Sequence, residues 1–282
     1  MLEAMFADAR VTPGVTPLLL ETGPAPAEAR LDAALQTVDA VWLLAPETGG
    51  ELAWLTERVE RSRCCLFGSR ISAVRLASSK WATRRALWDE AQGPLPVALD
   101  RRPLGPSSDW WVLKPDDGCG AADVRRVADA ALDAVLPAAT PATLVEPWVD
   151  GEALSLSLLT DGQTVWLLSI NRQSIDWQGG RARYCGGVVN VDADRDAALA
   201  LARSVVAAIP GLWGYVGVDC VCGRDGRWVP IEVNPRLTTP FAHLSAATGV
   251  CLLGAMLDLL AGRAPQLPRG RGRSVHFSLE LA

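Results

Sequence analysis

Tyr215-Val-Gly-Val-Asp-Cys-Val-Cys-Gly-Arg-Asp-Gly-Arg-Trp-Val-Pro-Ile-Glu-Val-Asn-Pro-Arg236 is the stretch around which the chain is organised. Two β-rich runs flank Asp225-Gly226, the strongest short-range hairpin signal. A two-residue turn there pairs Arg224 with Arg227. Continued outward, the same register sets Asp219 opposite Glu232 and Gly217 opposite Asn234. Side chains alternate across a strand, so Asp219, Glu232 and Asn234 project from one face, with Gly217 leaving room beside them. Val218, Cys220, Ile231 and Val233 take the other face, which is apolar and is expected to meet a core. Two carboxylates and an amide oxygen make a hard oxygen site. That suits Mg2+, which takes a few carboxylates together with substrate phosphates. The same pattern also describes a solvated hairpin with its acids on the wet side.

Composition excludes several classes. The 282 residues are 49% hydrophobic and 21% charged, enough for a large core in one large or two to three small domains. Net charge is −5 with no basic block, so nucleic acid is not an expected partner. No run of eighteen apolar residues and no signal peptide stand out, so no membrane association and a cytoplasmic setting are expected. The seven cysteines include no CxxC and read as free thiols in a reducing compartment. Two histidines, His243 and His276, make a histidine-based zinc site a poor fit.

In chain order, residues 1–30 read as loop, with Val15 to Leu20 as a strand candidate. Asp39 to Leu44 is a short apolar strand ending at Ala45-Pro46-Glu47-Thr48-Gly49-Gly50. A helical pattern through Leu52, Leu55 and Val59 follows, and Cys64 to Phe67 is the next strand. Glu47 with Gly49-Gly50 either touches a ligand at the carboxyl end of the first strand or forms a simple turn and cap. Ser78-Ser79 caps a helix that begins at Lys80 and stops at Gly93-Pro94. Lys80 lies in the first turn, against the helix dipole, and so either has an anionic partner or is an ordinary surface lysine.

Trp110 to Pro115 is a strand running into Asp116-Asp-Gly-Cys-Gly-Ala-Ala-Asp123. Lys114 precedes the glycines and no GK[ST] follows, so this is not a Walker A loop. Gly118 and Gly120 still let backbone N–H groups approach phosphate, with Lys114 as a nearby point charge. A tight hairpin with a strand-end lysine accounts for the same residues. An Ala/Leu helix spans 128–141. Thr143-Leu-Val-Glu146-Pro-Trp148-Val149-Asp-Gly-Glu152 then reads as strand and apolar hinge, whose amides can read an adenine edge, with Glu152 facing ribose hydroxyls. Strands 154–159 and 163–170 follow. Asn171-Arg172-Gln173 and Arg181-Ala-Arg183-Tyr-Cys-Gly-Gly187 bracket a polar loop, whose arginines suit carboxylate or phosphate oxygens or are simply solvated. Asp192 to Ile209 and Phe241 to Leu260 are helices, and Ser274 to Leu281 alternates like a final strand.

The order of these parts resembles the ATP-grasp superfamily over roughly residues 76–250: Lys80, Lys114-Pro with a glycine loop, Glu146-Pro-Trp-Val149-Asp-Gly-Glu152, then Asp219 with Glu232-Val-Asn234-Pro-Arg236. The resemblance implies an α/β (α+β) ATP-grasp fold. A small N-terminal lobe (1–76) precedes a central lobe with the glycine loop (77–149) and a C-terminal lobe with the metal site (150–265). A tail (266–282) follows. It implies ATP and one or two Mg2+ (or Mn2+) as cofactors. Lys80, Lys114, Gly118 and Gly120 would serve the phosphates, and the loop from Asp117 to Ala121 would close over them. Glu146, Trp148 and Val149 would form the adenine hinge, with Glu152 on the ribose. Asp219, Glu232 and Asn234 would hold metal. Arg236 would act with Lys114 at the transferred phosphoryl group or the substrate carboxylate. The implied chemistry is ADP-forming activation of a carboxylate to an acyl phosphate, followed by attack of an amine.

A narrower likeness lies in Ala45-Pro-Glu-Thr-Gly-Gly, Asn171-Arg-Gln and Tyr184-Cys-Gly-Gly187, which look like tyramine–glutamate ligases of methanofuran-type cofactor synthesis. It implies small-molecule partners, an amino-acid carboxylate and an amine, and leaves a homodimer open. It also puts forward Arg172 and Arg183 for glutamate or phosphate and Trp177 for packing on an aromatic amine. Ligation with another amine acceptor, an ATP-binding regulatory protein without turnover, and a kinase-like transfer are the alternatives.

Overall fold

The computed structural model describes residues 1–20, 24, 26–88, 95, 97–104, 108–118, 120–138 and 142–279. The amino-terminal region is more helical than expected: α1 (Leu2–Val11) and α2 (Ala27–Leu35) replace most of the anticipated loop, and Val15 to Leu20 forms no strand. Helix α1 packs through Met5 and Ala9 against the carboxy-terminal helices, and its buried Asp8 accepts from the N–H groups of Leu252 and Leu253. The remaining N-terminal lobe is β1 (Ala40–Val41), α3 (Glu51–Glu60), the parallel partner β2 (Cys65–Leu66) and α4 (Ile71–Ala77). Leu31, Leu35, Val59 and Cys64 are buried between them.

The central lobe follows as α5 (Lys80–Ala86), β3 (Ala98–Leu99), β4 (Trp110–Pro115), β5 (Arg125–Ala128), α6 (Asp129–Val135) and β6 (Thr143–Pro147). Alternate residues Trp111 and Leu113 of β4 meet Val145 and Leu132 in its core, leaving Val112 and Lys114 for the opposite face. The carboxy-terminal lobe contains β7 (Gly151–Thr160), β8 (Val165–Gln178), β9 (Arg181–Val189), α7 (Arg195–Ala208), β10 (Gly214–Gly223), β11 (Trp228–Asn234), α8 (Phe241–Thr248), α9 (Leu252–Leu260) and β12 (Val275–Ser278). Helix α7 buries Ala198, Ala202 and Val205 against Leu154, Leu156, Val216 and Val218 of the sheet. The expected helix stop at Gly93-Pro94, the proline-rich turn at Pro141 and the end of the tail strand at Glu280 and Leu281 lie outside the described residues.

One sheet runs β11-β10-β7-β8-β9-β5-β4-β6-β3, with β12 added on β9. It joins the two lobes through a short β5–β9 contact, in which Arg126 N–H donates to Gly180 O (2.7 Å) and Ala182 N–H to Val124 O (2.9 Å). Two expectations are corrected. Residues 171–187 are the far half of a long β8–β9 hairpin turning at Gly179-Gly180, not a loop. Their alternation (Gln173, Ile175 and Trp177 inward; Arg172, Ser174 and Asp176 away) is a strand pattern concealed by polar residues. The expected helix from Phe241 to Leu260 is broken at Gly249 into α8 and α9, bent by 93°. Among the described residues no single helix is long and apolar enough to cross a membrane.

The decisive hairpin has the expected pairing at its site end and a different turn. Gly217 pairs with Asn234, Val218 with Val233 and Asp219 with Glu232. Nearer the turn, Cys220 pairs with Pro230 and Cys222 with Trp228. The loop is therefore three residues, Arg224-Asp225-Gly226, closed by Gly223 N–H to Arg227 O (2.9 Å), with Gly226 left-handed at φ 78°. This shifts the register by one, and a bulge at Ile231 shifts it back. The bulge also corrects the placement of Ile231: it lines the cleft with Glu232 instead of joining Val218, Cys220 and Val233 in the core.

Candidate functional site

The inner faces of the central and carboxy-terminal lobes enclose a cavity of about 440 Å3. Lys80, Lys114, Gly118, Gly120, Glu146, Trp148, Val149, Trp177, Asp219, Glu232, Asn234 and Arg236 all line it. Glu152, Arg172 and Arg183 do not. Strand alternation explains all three: Gly151 and Ala153 flank Glu152 and Ala182 and Tyr184 flank Arg183 on the cavity side, while Gln173 and Ile175 face the cavity and so put Arg172 on the opposite face with Ser174. Glu152 and Arg172 instead form an ion pair with each other on the exposed side, and Arg183 is exposed.

Each lysine sits against a carboxylate. Lys114 is 3% exposed and its Nζ lies 2.5 Å from Glu146 Oε1. Lys80, 5% exposed, places Nζ 3.1 Å from Glu232 Oε1 and also donates to Gly118 O. Ser79 caps α5 by accepting from Ala82 N–H (3.0 Å). Asp116 at the base of the glycine loop supplies the negative charge that this helix end favours, accepting from Trp81 N–H (2.7 Å) and Ser79 Oγ–H (2.7 Å). The loop is thereby anchored to α5, and Lys80 reaches across to the β10–β11 hairpin. Arg84 supports the same wall: Nη1 donates to Pro230 O (2.6 Å) and Nε lies 3.9 Å from Glu146 Oε2.

Asp219 is half-buried by area yet enclosed by both lobes, and its carboxyl is pushed up to about 7. Burial is the main cause and the neighbouring Glu232 charge the second; hydrogen bonds from Asn234 and Gln173 and the Arg236 charge oppose them. Gln173 Nε2–H donates to Oδ1 (2.8 Å) and Asn234 Nδ2–H to Oδ2 (3.2 Å). Gly217 is required here: a Cβ on it would come within 2.5 Å of Thr238 Cγ2, which occupies the room beside the acids. Thr238 and Ser157 in turn hydrogen-bond the Tyr215 hydroxyl (2.8 and 3.0 Å).

Among the described residues no group of three or more His, Cys, Asp or Glu converges as a metal cage. Two carboxylates and one amide do converge, and the Asp219 carboxyl, its proton affinity raised by burial and by the neighbouring Glu232 charge, fits a divalent cation that relieves both. The Lys80 ammonium also balances the Glu232 charge.

At the hinge, Trp148 N–H donates to Trp110 O (2.8 Å). The Trp148 and Trp177 rings meet edge to face with centroids 5.1 Å apart, and the Arg126 guanidinium lies 4.7, 4.9 and 5.8 Å from the Trp110, Trp148 and Trp177 centroids. Arg236 donates through Nε (2.9 Å) and Nη2 (2.5 Å) to Oε2 of Glu47, which lies 189 residues earlier. Gln173, Tyr184, Arg84 and Asp116 escaped sequence reasoning. Only Gln173 and Tyr184 had a usable signal, the alternation on either side of Gly179-Gly180.

Two lobes clamping a cleft lined by two lysines, a glycine loop and an Asp/Glu/Asn hairpin define a nucleotide-dependent enzyme architecture. Residues 77–240 match the ATP-grasp domain family and residues 4–74 the pre ATP-grasp 3 domain family. The chain belongs to the ATP-grasp family. It is 32% identical over 205 residues to tyramine–L-glutamate ligase of Methanocaldococcus jannaschii, covering 72% of this chain and 58% of that protein. The chain thus spans little more than half the length of that relative. An ATP-grasp superfamily protein from Archaeoglobus fulgidus superposes with a TM-score of 0.67 at 27% identity, over 99% of this chain and 92% of that one. The biotin carboxylase domain of Hydrogenobacter thermophilus 2-oxoglutarate carboxylase, whose structure holds MgADP, has a TM-score of 0.65 at 16% identity, over 89% and 61%.

Proposed function

We propose that this chain is an ADP-forming carboxylate–amine ligase that joins L-glutamate to tyramine or a related amine, with Mg-ATP bound in the interlobe cavity. The observation that carries the reading is the convergence of Lys80, Lys114, Asp219, Glu232, Asn234 and Arg236 on one cavity wall system. The likeness to tyramine–L-glutamate ligase supports the substrate pair.

In this reading the polyphosphate takes over the Lys80 and Lys114 ammonium groups from Glu232 and Glu146, and Glu232 is released to the metal face. The Trp148 amide is already committed to Trp110, so the Val149 amide reads the adenine edge. Asp219, Glu232 and Asn234 would hold Mg2+, which would supply charge neutralisation to the phosphates. Arg236 orients the carboxylate that becomes the acyl phosphate. The glycine loop, tied by Lys80 and Asp116, covers the phosphates and keeps water from the acyl phosphate. Catalysis then rests on positioning and electrostatics, with no enzyme nucleophile.

The test is ADP release with Mg-ATP and L-glutamate against an amine panel headed by tyramine, with mass spectrometry of the products. A glutamyl-tyramine mass with amine-dependent ADP is expected. ADP release with another amine alone would move the acceptor assignment, and no ADP release with any amine would refute the ligase reading.

A further inference from the structure

Glu47 is 4% exposed, and its two carboxylate oxygens are treated differently. Arg236 directs both Nε–H and Nη2–H to Oε2. Oε1 is buried and has no hydrogen-bond partner, one of three such side-chain atoms among the described residues, with Arg84 Nε and Glu146 Oε2. An arginine–carboxylate pair ordinarily uses both oxygens in a fork-to-fork arrangement. Here the pair leaves one oxygen open at the cost of a buried, unsatisfied acceptor. A purely structural ion pair gains nothing from that geometry.

The surroundings indicate what Oε1 is held for. Its partner Arg236 lines the interlobe cavity beside Asp219, Glu232 and Asn234. The loop carrying Glu47 also touches the glycine loop: Thr48 Oγ1–H donates to Asp117 O (3.1 Å) and Gly49 N–H to Asp117 Oδ2 (3.2 Å). Glu47 therefore stands where the N-terminal lobe, the glycine loop and the metal hairpin meet. Arg236 cancels the charge on one oxygen and fixes the carboxylate plane. What remains is a buried anionic acceptor without a donor, next to the Arg236 wall of the cavity and suited to a cationic N–H group.

We infer that Glu47 Oε1 is the binding site for the primary ammonium group of a substrate, which makes Glu47 a specificity residue of the ligase. This rests on the ligase reading above. Two substrates could bring that group: the acceptor amine, or the amino-acid donor through its α-ammonium.

The experiment compares wild type with Glu47→Gln, which keeps the shape and one hydrogen-bonding oxygen but removes the charge. Coupling of glutamate to tyramine is measured beside coupling to hydroxylamine, which is uncharged at neutral pH and traps the acyl phosphate as a hydroxamate. If the acceptor amine occupies Oε1, KM for tyramine rises on the order of 10- to 100-fold, the loss expected for a charge-assisted hydrogen bond, while hydroxamate formation and the KM values for glutamate and ATP hold. If the donor ammonium occupies it, KM for glutamate rises in both assays, and glutarate, which lacks the ammonium, becomes as good a donor for the variant as for wild type.

Equal losses with tyramine, hydroxylamine and glutarate at unchanged KM values would show that Glu47 acts only by holding Arg236, and would overturn the inference; so would no change at all. Glu47→Asp, which keeps the charge, is the second variant should Glu47→Gln not fold, and is expected to retain more ammonium selectivity. Calorimetric titration of the MgADP-loaded protein with glutamate and with tyramine reads the site without turnover. If wild type turns over neither pair but binds an ammonium ligand in a Glu47-dependent way, the ligase reading alone falls. If it binds neither ligand, both fall.

Discussion

The raised proton affinity of Asp219 makes metal binding a proton-release reaction near neutral pH. With its carboxyl pushed up to about 7, the acid passes from mostly protonated at pH 6 to mostly ionised at pH 8. Mg2+ requires the anion, so its apparent affinity should climb about tenfold between those values, equivalent to about 1.4 kcal/mol, and level off above. The folded-state value lies above the ordinary 3.8, so the same group stabilises the metal-free fold at low pH and loses that contribution as pH rises through about 7.

Gln173→Ala tests the cause. Its 2.8 Å hydrogen bond favours the ionised form, and removing a bond of this kind to a charged group costs about 1.5–3 kcal/mol. The midpoint of the Mg2+ profile should therefore move upward by about one to two pH units. The assay is a Mg2+ titration of ADP binding by calorimetry in buffers from pH 5.5 to 9, with the proton count taken from buffer ionisation heats. A profile flat from pH 6 to pH 8, or a Gln173→Ala midpoint that stays put or moves down, would refute the argument.

Other expectations concern the cleft walls. Lys114→Ala leaves buried Glu146 with only the more distant Arg84 guanidinium; it should abolish Mg-ATP binding and lower stability by about 2–4 kcal/mol in urea denaturation, with Glu146→Gln in the same background restoring part of the stability but not the binding. Arg172→Ala should leave the ATP and glutamate saturation curves unchanged, because the Arg172–Glu152 pair is exposed and off the cavity, and its stability effect should stay within about 1 kcal/mol. Limited proteolysis between Gly118 and Asp123 should slow when Mg-ATP is added; a rate indifferent to nucleotide would remove the covering role of that loop.

Much of the cavity lining was legible because its signals are local. Ser79 before Lys80 is a cap, Lys114-Pro115 ends an alternating strand, and the acids of β10 and β11 lie in runs whose period is that of a strand. The cross-strand pairing of Asp219 with Glu232 was legible for a weaker reason. A three-residue loop displaced the register and the Ile231 bulge restored it, two features that cancel at the site and that no period-2 pattern discloses. The far half of the β8–β9 hairpin was misread as loop because arginine, serine and aspartate on its outer face carry no hydrophobic alternation, although Ile175, Trp177 and Tyr184 mark the inner one.

By itself the sequence determined which chemical groups are present and which share a strand face or helix end, since those depend on spacing over a few residues. Tertiary structure alone decided the partners: Lys80 with Glu232, Gln173 with Asp219 across 46 residues, and Glu47 with Arg236 across 189. The physical reason is that these contacts join elements far apart in the chain, Lys80–Glu232 and Glu47–Arg236 between lobes and Gln173–Asp219 within the carboxy-terminal one. Their geometry follows from how α5, the β8–β9 hairpin and the loop after β1 pack on β10 and β11, and packing of distant elements leaves no periodic trace in the chain.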